Sequence, residues 1–340
     1  MWFNLAPNIL ILAHLPTSQQ QHGGHFSIQQ TNINTILPQS TDKSNKLNSR
    51  CNHWENSPTK AMKTQPKCLF FDVFGTCVDW RKTVTDTLWN AAREALNAPT
   101  SSIATRIRMT ATDMTYEQWG EIAQEWRTSY LTFVRAVATG QITEFKTVDQ
   151  HHLDALHSIL TSHSLILPRD PSDPTPSSLA HDGSLWDEPQ LQQLNLVWHN
   201  LDPWPDTNEG LTELNRGGFR TCTLSNGNMA LLEDMVEYGG MPFTHVFSAE
   251  MWRSYKPNPK VYLGAAEKMG LKPEECALVA AHLDDLKAAQ ECGFSTIYVE
   301  RPQEERRPEL KGEGMPDIWV GEGEGGFVEV ARRLGVEAGK

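Results

Sequence analysis

The sequence predicts an α/β fold: a doubly wound parallel sheet with a helical subdomain inserted after its first strand. Three observations predict it. The apolar run Leu69-Phe70-Phe71 ends on a carboxylate, Asp72, with Gly75-Thr76 just beyond. That pattern reads as a buried parallel strand delivering an acid to the rim where open α/β sheets bind ligands. From Asp206 onward, short apolar runs alternate with helical patterns, as βαβ units require. Between these two regions, from about Thr83 to Leu201, apolar residues recur at helical spacing and strands are scarce.

Residues 1–65 stand apart. Gln19-Gln20-Gln21-His22-Gly23-Gly24 and the Asn, Ser and Thr that follow offer too little apolar surface to offset the cost of ordering the chain. The apolar patch Ile9-Leu10-Ile11-Leu12-Ala13 lacks the basic flank and clear cleavage site of a secretory signal and is too short to span a bilayer. Residues 1–65 therefore read as a disordered extension, and Met62 as the expected start of translation of the native protein. Peptides from residues 1–61 in mass spectra of the native protein would overturn that expectation.

The first strand leads into the helical segment. There Trp119, Ile122, Trp126, Tyr130 and Phe133 form one apolar stripe, and Leu153, Leu156, Ile159 and Leu160 form another. The Pro-rich residues 168–189 read as a long loop between helices. Residues 219–224 then form a strand ending in Ser225-Asn226-Gly227-Asn228, followed by a helix over 231–237. A short strand is expected at 245–248, a helix at 259–268 and a strand at 276–281. A helix over 286–291, stopped by Gly293, precedes a strand at 295–299. The last strand is 318–320 and the last helix 327–334. The organisation is thus a core of residues 66–82 and 205–336, with 83–204 as the inserted helical part.

The 340 residues are ample for a large core, and the net charge is −12. Five basic and two acidic residues fall in the first 65, which leaves −15 on the remainder. An acidic body argues against nucleic acid or an anionic membrane surface as partner, while leaving room for a small anion in a cationic cleft. The six cysteines (Cys51, Cys68, Cys77, Cys222, Cys276 and Cys292) show no CxxC and no metal-like spacing, so a reducing, cytoplasmic setting without disulfides is expected.

Four groups sit at the ends of expected strands: Asp72 with Thr76, Ser225-Asn226, Lys256 within Tyr255-Lys256-Pro257-Asn258-Pro259, and Asp284-Asp285. Strand ends of a parallel sheet share one rim, so groups distant in sequence can converge there. A strand-terminal carboxylate with a hydroxyl-amide pair, a lysine and a second acid suits covalent catalysis by carboxylate. Taken singly, Ser225-Asn226-Gly227 is equally a turn, Lys256 a solvated lysine, and Asp284 and Asp285 helix N-terminal acids.

Phe71-Asp72-Val73-Phe74-Gly75-Thr76, Leu224-Ser225-Asn226-Gly227, Lys256-Pro257-Asn258-Pro259 and Asp285 eight residues before Gly293 together resemble the haloacid dehalogenase superfamily. The resemblance covers about residues 66–335 and is nearest to the type II 2-haloacid dehalogenases. It implies the superfamily's Rossmann-like core with a helical cap. Superfamily phosphatases carry a second Asp two positions after the nucleophile; here that position is Phe74, as in the dehalogenases. The phosphatases also place acids eight and twelve residues before the helix-ending Gly; Asp285 fills the first place and Ala281 the second. A site without metal or other cofactor is therefore expected.

The resemblance implies that Asp72 attacks the halogen-bearing carbon of a small halogenated carboxylate and forms an aspartyl ester. Lys256 would keep Asp72 ionised, and Asp285 would activate the hydrolytic water. Thr76 and Ser225 would supply hydroxyls, Ser225 to the substrate carboxylate, and Asn226 would hold substrate or halide. Arg127 matches the cap arginine that cradles the halide, or is a surface arginine of an amphipathic helix. Tyr262 matches a tyrosine near the site, or is a core aromatic. One departure concerns Ala280 and His282, where the dehalogenases offer Ser and Asn. His282 is expected to titrate near neutral pH; it either hydrogen-bonds backbone or takes part at the substrate site, where the resemblance places it. The family also brings a homodimer as the candidate assembly. The resulting reading is a metal-independent hydrolase of short 2-haloalkanoic acids. The alternatives are a Mg²⁺-dependent phosphatase using Asp284 and Asp285, and a catalytically silent binding protein of the same fold.

Overall fold

The computed structural model describes residues 62, 64–99, 102–168, 183–311 and 316–337. The expected extension over residues 1–65, apart from residues 62, 64 and 65, and most of the Pro-rich loop lie outside the described residues.

Five strands form one parallel sheet: β1 (Cys68–Phe71), β2 (Arg220–Thr223), β3 (Cys276–Ala280), β4 (Ser295–Val299) and β5 (Ile318–Val320), in the order β2-β1-β3-β4-β5. The three innermost strands of the order, β1, β3 and β4, are almost wholly buried, which their continuous apolar runs require. Helices α6 (Thr207–Arg216), α7 (Met229–Gly239), α8 (Pro259–Lys268), α9 (Leu283–Glu291) and α10 (Gly326–Arg333) alternate with the strands. Because β1 pairs with β2 on one side and β3 on the other, the strand order reverses between β1 and β3. That reversal opens the crevice at the carboxyl rim where such sheets take ligands.

Between β1 and α6 the described residues hold five α-helices and no strand: α1 (Trp80–Asn97), α2 (Thr105–Asp113), α3 (Tyr116–Ala138), α4 (Val148–Ser162) and α5 (Glu188–Asn195). Helix α1 begins earlier than Thr83, because Asp79 caps it by accepting from the Lys82 N–H. Helices α3, α4 and α5 open with reciprocal capping boxes: Thr115 with Gln118, Thr147 with Gln150, and Asp187 with Gln190. Trp119, Ile122, Trp126, Tyr130 and Phe133 are buried as their spacing demands, and Arg127 is buried on the same face of α3.

One expected strand is absent. Residues 245–248 make only isolated parallel bridges, Cys222 with His245 and Ser225 with Ser248. The Thr223 hydroxyl accepts from the Phe247 N–H and donates to the Phe247 carbonyl, so that N–H bonds a side chain where a ladder would give it a backbone carbonyl. The five described cysteines are free thiols. No helix among the described residues is long and apolar enough to cross a membrane.

Candidate active site

Asp72 follows β1 directly, its N–H donating to the Val279 carbonyl of β3. The next residues turn back sharply, with Gly75 at φ +83°, a conformation that favours glycine. A Cβ there would lie 2.1 Å from a carboxylate oxygen of Glu304, so Gly75 also allows that acid to approach the turn. The turn is clamped from outside: Arg301 Nε donates to the Thr76 carbonyl while its guanidinium pairs with Asp206 through both terminal nitrogens, at 2.6 and 2.8 Å.

The Asp72 carboxylate meets three donors. Lys256 Nζ lies 2.9 Å from Oδ1; the Thr76 hydroxyl lies 2.7 Å and His282 Nδ1 3.1 Å from Oδ2. Thr76 Oγ1 accepts in turn from the Ala281 N–H at 3.0 Å, joining the turn after β1 to the end of β3. Lys256 also reaches Asp285 Oδ2 at 2.5 Å, and the Tyr262 hydroxyl donates to Asp285 Oδ1 at 2.5 Å. Asn226 fixes the lysine by accepting from its N–H and donating to its carbonyl.

Electrostatics follow from this geometry. Burial by itself would raise the Asp72 pKa, but the Lys256 ammonium and the bond to His282 outweigh it and hold the group well below the usual carboxylate range. Burial likewise works against charge on Lys256, yet Asp285 and Asp72 push its pKa above that of an ordinary lysine. Asp285 moves the other way: burial, with the nearby charge of Asp72, raises its pKa although Lys256 opposes the shift. One carboxylate is thus kept ionised beside a second that accepts a proton more readily, the division a nucleophile and a base require.

Of the readings of His282, the structure overturns the backbone hydrogen bond and the titration near neutrality. The imidazole bonds no backbone partner: Nδ1 faces Asp72, and Nε2 lies 3.0 Å from Glu304 Oε2. An imidazole facing two carboxylates must donate from both nitrogens and so carries a proton on each. Burial would lower its pKa, but the bonds to Asp72 and Glu304 push it up to about 10, well away from neutrality. Glu304 is fixed by the Trp80 indole N–H at 2.7 Å. Burial opposes its ionisation, and the bond to His282 more than compensates.

Arg127 is buried, and among the described residues no carboxylate pairs with it. One terminal nitrogen donates to the Phe74 carbonyl at 3.3 Å, while Nε and Nη1 have no hydrogen-bond partner among the described residues. Its guanidinium lies over the rings of Tyr130, Phe74 and Trp80 at 4.7, 5.1 and 5.6 Å. The surface-arginine alternative is excluded by 3 % exposure. A buried cation with unused donors, set in an aromatic cage, has the chemistry to take a small anion.

A cavity of about 460 Å³ opens over these groups, lined by Asp72, Arg127, Asn226, Lys256, His282 and Asp285 among others. Thr76, Phe74, Ser225 and Tyr262 lie behind its wall. Ser225 is fully buried, and its hydroxyl accepts from the Gly227 N–H rather than facing the cavity. Phe74 is packed beneath Arg127 against Tyr130 and Trp198. Asp284 also lines the cavity and accepts there from Arg135 at 3.1 Å. Among the described residues no group of three or more His, Cys, Asp or Glu side chains is arranged to hold a metal ion. The donor set does not fit Mg²⁺, which takes six oxygens and would have to displace two cations from Asp72.

Sequence reasoning missed Glu304, Trp80 and the arginines Arg306 and Arg307, which also line the cavity. The signal was present: the charged run from Glu304 to Arg307 follows the carboxyl end of β4, the one interior strand end left out of the comparison.

The model of the haloacid dehalogenase-like hydrolases matches residues 66–293. The chain belongs to this family. Among curated relatives, it is 32 % identical over 113 residues to (S)-2-haloacid dehalogenase 1 of Pseudomonas sp. strain CBS-3, a match covering 32 % of this chain and 50 % of that protein. It is 30 % identical over 123 residues to the glyceraldehyde 3-phosphate phosphatase of Methanopyrus kandleri, covering 35 % of this chain and 53 % of that one. The chain spans about half the length of the curated relatives it matches. Among solved structures of the family, a defluorinating L-2-haloacid dehalogenase superposes with a TM-score of 0.62 and 30 % identity, over 82 % of this chain and 98 % of that one.

Proposed function

We propose that this member of the haloacid dehalogenase-like hydrolases is a metal-independent 2-haloacid dehalogenase acting through an ester on Asp72. The observation that carries the reading is the surroundings of Asp72. Its carboxylate is held ionised by two cationic side chains, faces a small cavity, and has beside that cavity a buried arginine with unused donors. A halide leaves without a proton, so the position occupied by Phe74 needs no acid. The cavity size suits a short carboxylic acid, with Arg127 receiving the halide and Asn226 and Arg306 available at the wall to the substrate carboxylate. Ser225 and Tyr262 support those walls, and Asp285 accepts the proton of the water that hydrolyses the ester. Residues 66–82 and 205–336 act as the catalytic core, and 83–204 as the cap that brings Arg127 over it.

Similarity to a phosphatase favours a second reading, phosphate-ester hydrolysis. Against it stand the absence of an acid at position 74 and the pairing of Asp284 with Arg135. The test is halide release from 2-chloro- and 2-bromopropionate by purified protein in excess chelator. Release that persists supports the dehalogenase. No release, with chelator-sensitive turnover of an aryl phosphate, replaces it with the phosphatase.

A further inference from the structure

We propose that the Nδ1–H of His282 and the hydroxyl of Thr76 form the oxyanion site for hydrolysis of the Asp72 ester, with Glu304 as the positioning residue that holds His282. This inference rests on the covalent scheme above and assigns a step within it.

The two oxygens of Asp72 are unequal. Oδ2 accepts from both Thr76 and His282, whereas among the described residues Oδ1 accepts only from Lys256. A carboxylate oxygen has two lone-pair directions, so Oδ1 is the oxygen with one free to attack. When Oδ1 bonds to the substrate carbon and the carbon–halogen bond breaks, the halide leaves with the bonding pair and Oδ2 becomes the ester carbonyl oxygen. Two donors are then already aimed at it, one of them cationic. Water adds to Cγ and gives a proton to Asp285, and the carbonyl pair moves onto Oδ2. This is the atom where negative charge develops, and donors preset there act on the transition state at no reorganisation cost. Collapse returns the pair to Cγ and breaks its bond to Oδ1. The hydroxy acid takes the proton from Asp285, the second proton of the water passes to solvent, and Asp72 is restored as a carboxylate with one oxygen from water.

The scaffold around His282 is specific to this arrangement. Thr76 is set by the Ala281 N–H, and His282 by Glu304, itself held by Trp80 and admitted by the missing side chain at Gly75. Alkylation removes the charge of Asp72 while Glu304 remains beside Nε2. The imidazolium therefore keeps a counter-charge through the step in which it is needed.

The experiment separates the two half-reactions in rapid-quench assays with 2-bromopropionate, alongside intact-mass spectra of the protein. In the parent, halide release and hydroxy-acid release are both followed. His282→Ala should keep a first-turnover halide burst within about tenfold of the parent while ester hydrolysis falls about 100-fold, the usual effect of one oxyanion donor. The protein should then accumulate with the mass of substrate minus halide. His282→Gln, which retains an N–H donor and keeps the test available if the alanine variant does not fold, should hydrolyse faster than His282→Ala. Glu304→Gln should slow hydrolysis about tenfold, lower kcat and KM together while leaving kcat/KM near that of the parent, and show the same trapped mass. The inference is overturned if these variants slow burst and turnover equally with no trapped ester, or leave hydrolysis unchanged. No halide from the parent instead overturns the dehalogenase reading itself, and this inference with it.

Discussion

Replacing Lys256 with methionine keeps the length of the side chain and removes the charge that joins two buried acids. The lysine is 5 % exposed, with its ammonium 2.9 Å from Asp72 and 2.5 Å from Asp285. At an effective dielectric constant near 20, the attraction to Asp72 alone is roughly 6 kcal/mol before desolvation is charged against it. Removing one partner of a buried pair typically costs about 3–5 kcal/mol, because the other charge stays behind. Here Asp72 keeps His282 and Thr76, and Asp285 keeps Tyr262, which places the expected loss near the lower end, about 3 kcal/mol. For a domain of this size that lowers Tm by roughly 6–12 °C. The cause is stranded negative charge, so adding Asp72→Asn to Lys256→Met should recover part of the loss, although each change alone removes a contact. Urea and thermal denaturation at neutral pH of the parent, both single variants and the double variant supply the cycle. A Lys256→Met protein within about 0.5 kcal/mol of the parent, or a double variant less stable than Lys256→Met, would refute the electrostatic account.

Asp72→Asn should fold and lose halide release by at least about 1000-fold, since an amide is a far weaker nucleophile; turnover equal to the parent in a halide assay rules out the covalent scheme. Arg127→Met should change stability by no more than about 1 kcal/mol, because the cation–π contacts it loses are offset by removal of two unsatisfied buried donors, while KM for 2-bromopropionate rises about tenfold or more. Denaturation and steady-state kinetics check both halves, and an unchanged KM removes Arg127 from anion binding. The pKa of His282 lies above its unfolded value of 6.5, at about 10, so its stabilisation is complete below 6.5 and is lost as pH rises through 10. Between those limits the parent should lose stability on the order of a few kcal/mol relative to His282→Gln. Parallel Tm–pH curves for the two proteins would contradict this.

Much of the fold could be read from local pattern. Helix α8 and strands β4 and β5 fall at the expected residues, because Asn258-Pro259 starts a helix unambiguously and short β-branched or aromatic runs bounded by turns leave few other readings. The strand expected at 245–248 failed where the Thr223 side chain, distant in sequence, takes the Phe247 N–H that a ladder would have used. Asp72, Lys256 and Asp285 were legible because each is a polar residue at a strand end or in a turn that rejoins the rim. The direction in which a side chain points was not legible. Ser225, read as a substrate ligand, is turned to Gly227; Asp284, read as a metal ligand in the phosphatase alternative, is turned to Arg135.

The sequence by itself determined the alternation of strands and helices, and therefore a parallel sheet with one rim. It determined which acid, which lysine and which hydroxyls would stand near that rim, because periodicity and strand ends are properties of neighbouring residues. Only the tertiary structure decided what those groups face. It buried Arg127 among aromatic rings from the turn after β1, from α1 and from α3, and set His282 between Asp72 and a glutamate 22 residues further along the chain. The state of a charge depends on every group within a few ångströms in space, and chain order does not record those distances.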